Sequence, residues 1–71
     1  MFDYIMIHTI DGNINRYDKR IVKNFHLFTN EDELEKLINN KIITVELNSR
    51  RINFISSNIV KIEIIREVEA I

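Results

Sequence analysis

Seventy-one residues with a net charge of −1, no Cys, no Pro and a single Gly are read as one domain spanning residues 1–71. A domain this small buries only about 60% of the surface its unfolded chain exposes. The lack of Cys excludes disulfides and thiolate zinc sites, and His8 and His26 lack the HxH or HxxxH spacing of a metal pair, so no metal and no cofactor is expected. Self-association then remains as the supplement to a small core, and a homo-oligomer, most simply a dimer, is the expected state.

The opening MFDYIMIHTI carries Asp3 where a secretory leader would carry basic residues. No apolar run approaches the roughly 18 residues that span a bilayer. The reading is a cytoplasmic protein with no membrane partner. Fifteen Ile and nine Asn beside one Ala point to an AT-rich gene, a composition common in small accessory proteins of low-GC bacteria, their phages and mobile elements.

Residues 4–10, YIMIHTI, are rich in β-branched and aromatic types and run into Asp11-Gly12, a strong signal for a tight hairpin. A two-residue loop there would set Thr9 opposite Ile14, Ile7 opposite Arg16 and Met6 opposite Tyr17; a loop one residue longer would exchange the faces. Both alternating sets of this strand are largely apolar, with Tyr4, Met6 and Ile10 on one side and Ile5 and Ile7 on the other. Such a strand needs cover on each face, from a sheet that curls or from a second copy.

RYDKRIVKNFH follows at 16–26, with Arg16, Lys19, Arg20 and Lys23 against one acid, Asp18. Neither strand nor helix is decided over 16–28. At helical spacing the four cations fall at i, i+3, i+4 and i+7 and form one basic ridge, leaving Ile21, Val22 and Phe25 for the core.

Residues 29–41, TNEDELEKLINNK, predict a short helix. Asn30 and Glu33 have capping-box spacing, Glu31 to Glu33 complement the helix dipole, and Lys36 is placed to pair with Asp32. Leu34, Leu37 and Ile38 form its apolar stripe, and Asn39-Asn40 supply a left-handed stop. Beyond it, Val45 and Leu47, then Ile52 and Phe54, alternate with polar residues around the turn Asn48-Ser49-Arg50. Ser56-Ser57-Asn58 breaks this pattern, and IVKIEII predicts a last strand with Val60, Ile62 and Ile64 on one side. The tail from Arg66 to Ile71 fits strand or helix alike.

The expected fold is α+β: a small, mostly antiparallel sheet or half-barrel in the order β-β-α-β-β-β with one short helix. No phosphate-binding glycine loop, calcium loop or nucleophile elbow is present. His8 could act as a base, but a histidine within an apolar strand more often serves structure. Glu46, Glu63, Asp11 and Asp18 are carboxylates of the kind usually solvated on strands, and a hydrolase or nuclease is the weakest reading.

What remains is binding. Arg16, Lys19, Arg20, Lys23, Arg50 and Arg51 provide cationic groups, Tyr17 and His26 provide rings, and arginine forks match phosphate or carboxylate. The plain alternative is a wet connecting segment anchored by Phe25 and Phe28. The functional expectation is a non-enzymatic binding or inhibitory module for an anionic partner, either a small phosphorylated ligand or an acidic protein surface. A nucleic-acid-binding regulator stands second, because a net charge of −1 gives little diffuse attraction to a phosphate backbone.

Overall fold

A computed structural model of the protein describes residues 3–66; the tail at 67–71, left as strand or helix by the sequence, lies outside the described residues. Strands β1 (Asp3–Thr9) and β2 (Ile14–Asp18) come first. A 3-10 turn at Lys19–Ile21 leads to two helices, α1 (His26–Thr29) and α2 (Glu31–Ile38). The hairpin β3 (Ile42–Glu46) and β4 (Arg51–Ile55) follows, then a second 3-10 turn at Ser56–Asn58, then β5 (Ile59–Arg66). The fold is α+β with antiparallel sheets of three strands, ordered β2-β1-β5, and of two, β3-β4.

The first hairpin turns where Asp11-Gly12 predicts it but with a different loop. Gly12 N–H donates to the Thr9 carbonyl and Thr9 N–H to that of Asn13, both at 3.0 Å, and Gly12 has φ +88°. That is a three-residue loop ending in a left-handed residue. The register therefore slips by one from the expected pairing: Ile7 faces Asn15, Met6 faces Arg16 and Ile5 faces Tyr17. Asp11 explains the longer loop, since its carboxylate accepts from the Thr9 hydroxyl, from Asn13 N–H and from the Asn13 amide. These bonds, that of Thr9 foremost, hold the Asp11 carboxyl below its usual pKa.

Ile5 and Ile7 point inward and are fully buried. They share the core with Val22, Phe25, Phe28, Leu37, Ile43, Val45 and Leu47. Burying each large member contributes about 1.5 to 3 kcal/mol. Tyr17, Ile52, Phe54, Ile59 and Ile62 close the rim, with Tyr17 edge-on to Phe54 at 6.3 Å between ring centres.

Three expectations about side-chain direction are corrected. Ile62 and Ile64 share the core face, paired with Ile7 and Ile5, but Val60 does not, because a bulge between the β1 residues His8 and Thr9 pairs Ile59 with Thr9 and Lys61 with His8. The unmatched Val60 resets the alternation and is 64% exposed, while Ile59 and Ile62 pack on the core. Ile21 does not reach the core; it is 43% exposed at the end of the 3-10 turn, whereas Val22 and Phe25 are buried as expected. In α2, Leu37 is buried and Leu34 half-buried, but Ile38 is exposed.

The helical part holds two helices in place of one. Asn30 separates them: its backbone is extended, which ends α1, and its side chain accepts from Glu33 N–H at 3.2 Å, which starts α2. Lys36 pairs with Glu33, three residues back, at 4.0 Å. The stop is not left-handed, since Asn39 has φ −77° and Gly12 alone has positive φ among the described residues.

Candidate basic surface

The segment 16–26 is strand, 3-10 turn and helix in succession, not one helix, so the regular basic ridge of four cations is not formed. Arg16 lies on the face of β2 opposite Tyr17, its guanidinium 3.8 Å above the Tyr4 ring. That contact is a cation–π interaction. His26 opens α1, exposed, and no described contact joins its ring to the other cations.

A chain of backbone contacts brings the remaining members together. The Lys19 carbonyl accepts from Val22 N–H at 3.4 Å; Val22 makes an antiparallel bridge to Leu47; and Leu47 N–H donates to the Arg50 carbonyl at 2.7 Å. Lys23 N–H meets the Glu46 carbonyl at 2.7 Å. Asn24 locks this contact with its side chain, donating to the Thr44 carbonyl at 2.8 Å and accepting from Glu46 N–H at 3.0 Å. The tip of the second hairpin thus lies against the 3-10 turn. Two basic stretches far apart in sequence become one edge carrying Lys19, Arg20, Lys23, Arg50 and Arg51, all exposed.

Within this edge Arg51 is already engaged with Glu46 at 3.2 Å. Arg50 sits near enough to Tyr17 to act on its phenol: burial pushes the Tyr17 pKa up, and the Arg50 charge opposes the shift. One oxygen of Asp18, Oδ1, is buried without a hydrogen-bond partner, next to the first of the cations.

The other titratable feature is on the outer face of the three-stranded sheet. His8 Nε2 is 2.5 Å from Glu63 Oε1, and Lys61 approaches the same oxygen at 3.7 Å. His8 is part-buried and held by a carboxylate. Among the described residues no three His, Asp or Glu side chains are grouped to hold a metal ion. No described helix is long and apolar enough to cross a membrane.

A concave feature escaped the sequence. Thr9, Ile10, Asp11, Asn13, Asn15, Asn53, Phe54, Ile55 and Asn58 line an open cleft of about 550 Å³ between the first hairpin tip and β4. None of the eight predicted binding residues lines it. With nine Asn in the chain, the four here carried no signal until the fold placed them together.

No family model, no curated protein and no solved structure matches the chain.

Proposed function

We propose that the chain is a non-enzymatic binding or inhibitory module of the cytoplasm, a homodimer that engages an anionic partner through its basic edge. The observation that carries this reading is the Val22–Leu47 bridge, which sets Lys23 and the preceding turn beside Arg50. The edge carries five cations, Lys19, Arg20, Lys23, Arg50 and Arg51, of which Arg51 is engaged with Glu46. Like charges crowded together repel, and a bound anion relieves that cost. The anion is a phosphate or a carboxylate, which the Arg50 fork accepts equally well. The same bridge, with the 3-10 turn between β4 and β5, supports reading the two sheets as a half-barrel whose basic edge is one seam.

The test is a thermal shift series with inorganic phosphate, ATP, a poly-glutamate peptide and duplex DNA. A ligand at ten times its Kd should add about 1.4 kcal/mol, a rise of roughly 6 to 11 °C for a domain of this size. Lys23→Glu combined with Arg50→Glu should abolish the shift with the fold intact. Arg16→Glu should leave it, because Arg16 is committed to Tyr4 on the other face. ATP alone would identify a phosphorylated ligand and poly-glutamate an acidic protein surface. A shift only with DNA would favour a nucleic-acid regulator, and none with any probe would reduce the edge to a solvated one.

A further inference from the structure

The last strand, β5, is an edge. Among the described strands its one partner is β1, and it packs extensively on no other described element. Eight residues long, with five of the eight Ile or Val, it offers a row of unpaired backbone groups of the kind that recruits another strand. Val60 and Ile64 along it are 64% and 39% exposed. A free edge is commonly guarded by a lysine, and Lys61 would serve as one if it stood alone. Glu63, two residues on and on the same face, changes its meaning.

Consider a second copy joined edge to edge through a two-fold axis perpendicular to the sheet. Such an axis keeps each face on its own side, so residues opposite one another must share a face. Only registers centred on a single residue satisfy this. Centred on Lys61, the join sets Lys against Lys; centred on Glu63, it sets Glu against Glu. Centred on Ile64, it puts Glu63 opposite Ile65 and Ile62 opposite Arg66. Centred on Ile62, it places Lys61 opposite the partner's Glu63 and Glu63 opposite the partner's Lys61. The same register sets Ile62 against the partner's Ile62, while the bulge at Val60 takes residues 59 and 60 out of the regular alternation. It alone sets unlike charges opposite one another at positions 61 and 63.

We infer that a second copy of this chain docks on the β5 edge, antiparallel and centred on Ile62, making a continuous six-stranded sheet. This rests on the homodimer reading and names its interface. The junction lies beside the groove of about 210 Å³ where Leu34, Ile38 and Ile43 face Ile59, Val60 and Ile62.

Charge exchange tests it. Lys61→Glu alone would set Glu against Glu at two symmetric pairs, and Glu63→Lys alone would set Lys against Lys. Each should weaken self-association about tenfold, as two reversed cross-strand pairs imply. Mixed in equal amounts, the two variants are complementary at all four positions and should recover the wild-type dimer mass by light scattering. Amide exchange of the wild type across a dilution series reads the same interface without a mutation: protection at 60–64 should fall as the dimer dissociates. A wild type that scatters as an 8.5 kDa monomer at micromolar concentration would overturn the homodimer reading itself. A dimer that both variants leave unchanged, or whose concentration-dependent protection lies outside β5, would overturn only this interface.

Discussion

Gly12 stands at a loop position where the backbone has φ +88° and an added Cβ would meet nothing within 4 Å. A substitution there is costly for the backbone alone, with no packing term to confuse the reading. Gly12→Val should destabilise the protein by about 1 to 3 kcal/mol, measured as a lower denaturant midpoint with unchanged slope. Gly12→Asn should cost less, because Asn tolerates the left-handed region. Equal losses for Val and Asn would mean that φ is not the cause. Asp11 and Thr9 show how far one residue's hydrogen bonds reach. By favouring the longer loop they move every β2 side chain by one position and send Tyr17 inward and Arg16 outward. The Asp-Gly pair was legible as a turn, but its length was not, because the alternation of β2 is too weakly apolar to exclude either register.

Between the elements, Asn24 does the work of a missing strand. By backbone, Val22 bridges Leu47 just past β3 and Lys23 N–H reaches the Glu46 carbonyl, and the amide of Asn24 continues the contact to Thr44 and Glu46. Asn24→Ala would leave the part-buried Glu46 N–H and Thr44 carbonyl without these partners. The expected loss is about 1 to 3 kcal/mol, seen in chemical denaturation; a change below half of that would mean water replaces the amide. Asn24→Asp keeps the acceptor and loses the donor, so it should fall between. The hairpins and α2 could be read from the sequence because each carries its own local signal: a Gly turn, an Asn cap, strict alternation. Four parts could not: the bulge at Val60, the single turn of α1, the bridge from Val22 and the Asn-lined cleft. The bulge, the bridge and the cleft each depend on residues distant in the chain. The binding cluster was half legible for the same reason. Its two stretches stood out as basic, but their meeting, and the removal of Arg16 and His26 from it, is tertiary.

At the scale of the molecule, nine buried residues among those described carry the core, and Phe28 is the largest side chain among those fully enclosed. Phe28→Ala should cost about 3 to 5 kcal/mol, most of what a domain this size possesses. The expected result is loss of cooperative thermal unfolding in circular dichroism; a cooperative transition lowered by only a few degrees would show that the core collapses into the space. The three-stranded sheet joins opposite ends of the described chain, with His8 touching Glu63 across 55 positions. During synthesis at about 5 to 20 residues per second, that interval lasts roughly 3 to 11 seconds. The first hairpin closes within microseconds but, as an isolated two-stranded ribbon, is marginal in water. For those seconds Ile5 and Ile7 have no Ile64 and Ile62 beside them, so the speed of translation sets how long this edge of each new sheet stands unpaired.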